Sequence, residues 1–221
     1  MSAPAWERTL DVRTAEQTHA LGTALGAQLE AGDLVVLTGE LGAGKTTFTQ
    51  GLGEGLGVRA GIISPTFVLV RIHPNLPDGP RPGGPDLVHV DAYRLASAAE
   101  IDDIDLENTM DSAVTVVEWG RNRVEHLGDS RLEVDLYRPL GGAVAAPGGT
   151  GAGAAAHGPA TPEAPAGVLD FDTDDDDEPR TLVIRGFGPR WAEPPVLPET
   201  LAEAPSGTVP ETPPTIPEGN S

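Results

Sequence analysis

The sequence predicts an α/β domain of three layers, with a mostly parallel or mixed central sheet, and it predicts an acidic insertion and a tail outside that domain. Three observations carry this reading. Residues 34–37 (LVVL), 87–90 (LVHV) and 114–117 (VTVV) are short, continuous apolar runs of the kind buried on both faces of a sheet. Stretches with helical spacing lie between such runs, the alternation expected of layered α/β domains. A glycine-rich turn joins the first apolar run to a helical stretch.

Taken in order, 6–12 (WERTLDV) alternates well enough for a first strand. Thr14 opens a helix, with Gln17 three residues on as in a capping box. Leu21, Ala24, Leu25 and Leu29 follow at helical spacing, and Gly32 ends the segment. After the strand at 34–37 and the glycine-rich turn, a second helix is expected from Lys45 to about Leu56. Residues 67–72 read as a further strand, and 73–86, with five prolines and three glycines, as a surface excursion. The runs at 87–90 and 114–117 each end in an acid. Residues 131–138 (RLEVDLYR) alternate like an edge or half-exposed strand. Residues 1–138 are therefore the core. Residues 139–180 are a low-complexity insertion of Gly, Ala, Pro and Thr leading into an acidic run. Residues 181–191 (TLVIR, then Gly188-Pro189 and Trp191) return to the core as its last strand and turn. Residues 192–221, with eight prolines, five acids and no base, cannot bury enough surface to offset their ordering entropy and are expected to be disordered.

Composition excludes several function classes. No cysteine is present among the 221 residues, so there are no disulfides and no thiolate metal sites. No leader pattern and no run long enough to span a bilayer is seen, so a soluble, cytoplasmic chain without membrane contact is expected. The formal charge is −20, which opposes direct binding to a phosphate backbone, so a nucleic acid would be held chiefly by a partner. Part of that charge, Glu163, Asp170, Asp172, Asp174 to Asp177 and Glu178, forms one run that reads as a solvated acidic linker, the alternative being a docking strip for a basic partner.

The chemistry lies in Gly39-Glu40-Leu41-Gly42-Ala43-Gly44-Lys45-Thr46, a full match to the phosphate-binding pattern G-x-x-x-x-G-K-[ST]. Glycines let successive N–H groups curl around a β-phosphate, and the helix that follows aims its positive end at the same anion. Lys45 reaches the β- and γ-phosphates, and the Thr46 hydroxyl can ligate Mg²⁺. Lys45 is also the only lysine, against thirteen arginines, as if a compact ammonium were needed there. The loop also requires an acid opposite it, to hold Mg²⁺ or its water. Asp91, ending LVHVD, and Glu118, ending VTVVE, are the two candidates, and Glu118 is favoured because Trp119-Gly120 follows it as an ordered turn. Ser64-Pro65-Thr66-Phe67 is either a plain proline turn or a switch-like element whose hydroxyls sense the γ-phosphate. His89 reads as a strand residue rather than a catalyst. No Asn-Lys-x-Asp is present to read guanine.

In this order, GELGAGKTTFTQGLGEGLG, SPTF, HVDAYRL and VEWG resemble the bacterial TsaE family over roughly 8–138 and again at 181–191. The resemblance implies an ATPase with ATP and Mg²⁺ as cofactors. It would serve threonylcarbamoyl adenosine modification of tRNA with the partners TsaD and TsaB, and would meet tRNA only through them. It implies that Glu40, Leu41, Gly42, Ala43, Gly44, Lys45, Thr46 and Thr47 cradle the nucleotide, with Thr14 and Thr18 on the adenine side. It implies Thr46 and Glu118 as metal ligands, Asp91 in support, and Ser64 and Thr66 beside the γ-phosphate. The 73–86 excursion, the acidic insertion and the tail depart from the family pattern. The alternative class is a small-molecule kinase using the same loop, with Arg94, Arg121 and Arg123 as the only clustered arginines for a lid. No arginine finger is evident in cis.

Overall fold

The computed structural model describes residues 3–95, 97–102, 104–138 and 179–198. Nearly all of the predicted insertion and most of the predicted tail lie outside the described residues. Seven strands, β1 (Trp6–Val12), β2 (Leu34–Gly39), β3 (Val70–His73), β4 (Asp86–Asp91), β5 (Ala113–Glu118), β6 (Arg131–Tyr137) and β7 (Arg180–Phe187), form one sheet. Its order is β1-β7-β6-β2-β5-β4-β3. The four central strands, β6, β2, β5 and β4, run parallel, and the flanking pairs β1–β7, β7–β6 and β3–β4 are antiparallel. The expected mixed sheet is thus a parallel core with antiparallel additions on both sides.

Alternation along the strands sorts the core into two sides. Val35, Leu37, Val114, Val116, Val134, Leu136 and Ile184 pack with the helices α1 (Ala15–Gly26) and α2 (Lys45–Leu56). Leu34, Val36, Val88, Val90 and Val117 face the opposite way, toward Ile101, Leu106, Met110 and Trp119. The short helices α3 (Ala98–Asp102) and α4 (Glu107–Met110) belong to this second, thinner layer. Neither was expected from the sequence, because so short an acidic stretch shows no helical period.

α1 begins as predicted: the Thr14 hydroxyl caps it by accepting from the Gln17 N–H at 3.2 Å. The Gln17 side chain reaches back to the N–H of Arg13 at 2.6 Å, one residue before the cap. α1 and α2 approach so closely that glycine is required at their contact. A Cβ on Gly51 would stand 2.1 Å from the His19 carbonyl, and one on Gly22 would stand 2.3 Å from the Phe48 carbonyl.

Two strand expectations are corrected. Residues 67–72 are not one strand: Val68 and Leu69 both donate to the Pro65 carbonyl, Leu69 takes a φ of 65°, and pairing starts only at Val70. The proline turn consumes the first half of the run. β6 is not an edge strand. It lies between β2 and β7, and all seven of its residues are buried. Its alternating charges are neutralised in place, with Asp135 gripped by Arg121 and by Arg185, and Glu133 held by Arg131 at 2.8 Å.

Candidate functional site

The parallel strands β2, β4 and β5 all end on one side of the sheet, and the candidate residues gather there. This is where open α/β sheets bind ligands. β2 runs into the glycine-rich loop, and α2 opens directly from it at Lys45. Gly42 and Gly44 take φ values of 76° and 94°, the left-handed region that disfavours a Cβ. The loop crests at Glu40 and Leu41, the latter 85% exposed, while Ala43, Gly44 and Lys45 are buried and Thr46 and Thr47 half-buried. The sequence therefore folds into the turn that presents backbone N–H groups at a helix N-terminus.

Lys45 is only 6% exposed. Its ammonium donates to the carbonyls of Gly39 at 2.9 Å and Glu40 at 3.0 Å, and it stands 4.2 Å from the centre of the Trp119 ring. Burial depresses its pKa below the ordinary lysine value, and the nearby carboxylates of Glu118 and Asp91 work against that shift. The loop, the ammonium and both predicted acids form one electrostatic unit.

Asp91 and Glu118 are direct register partners at the ends of β4 and β5, and Leu37 at the loop end of β2 pairs with Glu118 in turn. The same alternation puts both acids on the sheet side that carries α2. Their surroundings differ. Asp91 Oδ2 accepts from Thr66 at 2.5 Å and from Ser64 at 3.2 Å, and its Oδ1 accepts from the Tyr93 N–H at 2.9 Å. The Ser64 and Thr66 hydroxyls are also 2.7 Å apart. The 64–66 segment is thus moored to Asp91. Glu118 Oε1 is 2.8 Å from His89 Nε2, and both side chains are buried. After Glu118 the chain turns sharply: Trp119 has a φ of 61° and stacks edge-on to Tyr93 at 5.4 Å.

The two predicted threonines separate slightly. Thr18 is fully buried, and its methyl lies 3.7 Å from where a Gly44 Cβ would stand, so it touches the loop itself. Thr14 lies one helical turn earlier, and its carbonyl accepts from the Thr18 hydroxyl at 3.3 Å. Of the kinase-type arginines, Arg121 is committed to Asp135, and Arg123 donates to the Ala92 carbonyl at 2.7 Å. Arg94 instead lies over the Phe67 ring.

Sequence reasoning passed over two neighbours. Arg138 would lie 2.9 Å from a Cβ on Gly42, and Arg180 would lie 3.6 Å from one on Gly44, so both guanidinium groups flank the loop. They come from the end of β6 and the start of β7, which are far apart in sequence, and only the sheet order brings them together. His89, read from the sequence as a strand residue, adjoins Glu118. Its signal was legible: it sits two residues before Asp91 on an otherwise apolar strand, and so on the same face as the acids.

Comparison with known proteins adds an independent line. The family model described as "Threonylcarbamoyl adenosine biosynthesis protein TsaE" matches residues 12–140. The TsaE protein of Streptomyces coelicolor is 44% identical over 173 residues, covering 78% of this chain and 92% of that protein. The TsaE protein of Mycobacterium tuberculosis H37Rv is 46% identical over 129 residues, covering 56% of this chain and 74% of that protein. Among solved structures, Bacillus subtilis YdiB superposes with a TM-score of 0.54 at 25% identity, covering 86% of this chain and 92% of that one. With its loop, its strand-end acids and its sheet in place, the chain belongs to the TsaE family of threonylcarbamoyl adenosine biosynthesis proteins.

Proposed function

We propose that the chain binds ATP with Mg²⁺ at this loop and hydrolyses it to reset a TsaD–TsaB partner complex during threonylcarbamoyl adenosine modification of tRNA. The observation that carries this reading is Lys45, the sole lysine, buried at the loop and faced by Glu118 and Asp91. A buried ammonium whose hydrogen bonds among the described residues go to two loop carbonyls is costly unless an anion is its working partner.

The residues present fit both groups. Glu40 to Thr47 supply a left-handed glycine cradle and the start of α2, which suit a polyphosphate. The Thr46 hydroxyl and the Glu118 carboxylate are oxygen donors of the kind Mg²⁺ accepts alongside phosphate. When bound, Mg²⁺ supplies charge neutralisation at the phosphates.

In this reading the chain's own groups divide the work. Lys45 exchanges its loop carbonyls for phosphate oxygens and neutralises charge. Glu118 orients the attacking water or the metal that holds it. Asp91 supports that role and anchors Ser64 and Thr66, whose hydroxyls stand ready to meet a terminal phosphate. Thr18 and Thr14 border the nucleoside side. Arg138 and Arg180 flank the loop but already have partners in the fold, so slow turnover by the isolated chain and stimulation by partners are expected.

The test is direct. Purified chain is mixed with TsaB, TsaD and tRNA, and ATP hydrolysis and tRNA modification are followed together. Both should rise with the partners. Lys45→Ala should abolish nucleotide binding, whereas Glu118→Ala should abolish hydrolysis and leave binding intact. Hydrolysis by the chain alone at tens of turnovers per second, or labelled phosphate appearing on a metabolite instead of in solution, refutes the proposal.

A further inference from the structure

His89 occupies the middle of β4, between Arg71 on β3 and Val116 on β5, and none of it is exposed. An apolar residue would fill that position at less cost, because a buried imidazole must place two ring nitrogens. One nitrogen, Nε2, lies 2.8 Å from Glu118 Oε1. The other, Nδ1, has no hydrogen-bond partner among the described residues. The nearest ring, that of His73, has its centroid 6.3 Å away, and its own Nε2 is likewise without a partner. The single polar commitment of this imidazole is therefore the Glu118 carboxylate.

We infer that His89 is a positioning residue for Glu118: its Nε2–H donates to Oε1 and fixes the direction in which the carboxylate faces the phosphate loop. The inference rests on the assignment of Glu118 given above. The tautomer follows from satisfaction. A buried N–H without an acceptor is rare and costly, whereas a bare nitrogen lone pair is tolerated more readily. A glutamate has three side-chain torsions to restrain, and β5 ends at this residue, so the backbone alone does not aim it. Clamping one oxygen orients the other without contact between His89 and any nucleotide. Groups that orient a catalytic or metal-binding side chain in this way typically matter by about 10–100-fold.

The experiment uses the full chain with TsaB and TsaD. His89→Leu, His89→Gln, Glu118→Ala and the His89→Leu/Glu118→Ala double variant are compared for hydrolysis rate at saturating ATP and for affinity toward a fluorescent ATP analogue. His89→Leu should lower the rate by about 10–100-fold with affinity unchanged. His89→Gln, whose amide N–H can reach the same oxygen, should recover most of the rate. In the double variant the leucine should add nothing to the loss caused by Glu118→Ala. On the unaltered protein, ¹⁵N NMR should show a slowly exchanging proton on Nε2 that is lost in Glu118→Ala. That readout stands even if His89→Leu fails to fold. A full rate in His89→Leu, an equal loss with and without Glu118, or a proton found on Nδ1 overturns the inference. If Glu118→Ala itself keeps its rate, the assignment of Glu118 falls first and this inference falls with it.

Discussion

Asp91 and Glu118 sit side by side in register at the ends of two parallel strands, yet they are committed to different neighbours. Asp91 spends its oxygens on Ser64, Thr66 and the Tyr93 backbone, while Glu118 is held by one histidine. The two acids thus differ in what their loss should do. Asp91→Ala leaves two hydroxyls and a backbone N–H without their acceptor. It should lower stability by about 1–3 kcal/mol in urea denaturation and loosen residues 64–66, which limited proteolysis detects. Glu118→Ala should leave the cleavage pattern there unchanged.

The contact between α1 and α2 makes a second prediction. Gly51→Ala drives a Cβ to 2.1 Å from the backbone of His19, which cannot rotate away. The helices must separate, at a cost of about 1–3 kcal/mol or more. Gly128→Ala is the control, because its Cβ meets nothing closer than the Ser130 carbonyl at 3.5 Å. Chemical denaturation should show a large fall in midpoint for the first and almost none for the second.

Acidity should act through His73. Burial, with His89 and Arg71 nearby, depresses its pKa below the ordinary 6.5. The unfolded chain therefore binds a proton that the folded chain refuses, and folding stability falls as pH drops below about 6.5. Above that value the term is absent. His73→Phe should remove this component, so the urea midpoints of the two proteins should diverge progressively from pH 7 to pH 5. Parallel curves would show that His73 titrates as an ordinary histidine.

The β6–β7 pairing makes a prediction about the insertion. Tyr137 and Thr181 are register partners, so Arg138 and Arg180 already lie across a hairpin end. Replacing residues 139–179 by a short Asn-Gly turn should preserve the ladder. A loop about twentyfold shorter also lowers the entropic cost of closure by about 2.7 kcal/mol. Thermal unfolding of the shortened chain should show a higher midpoint, and a lower one would mean that the removed residues contribute packing.

Much of this architecture was legible in the residues because local signals and the fold agreed. Thr14 and Gln17 marked the start of α1, the apolar runs marked β2, β4 and β5, and the glycine pattern marked the loop. What misled was long-range. The alternation of β6 was read as exposure, but Arg121 and Arg185 come from elsewhere to bury Asp135. The run at 67–72 has strand composition, yet Pro65 gathers its first residues into a turn before any partner strand can pair them. At the candidate site the loop and both acids could be read along the chain, whereas Arg138, Arg180 and the His89–Glu118 contact depend on strand order. No period in the sequence encodes that order.

The seating of β1 has a consequence for biosynthesis. Among the described residues its only neighbour in the sheet is β7, the last described strand. β1 must therefore wait for this partner until nearly all of the described chain has been made. Contacts between such distant segments are slow to form, so the parallel centre and its phosphate loop can assemble while the N-terminal ribbon is still waiting. A chaperone that engages nascent chains has its longest opportunity at Trp6–Val12.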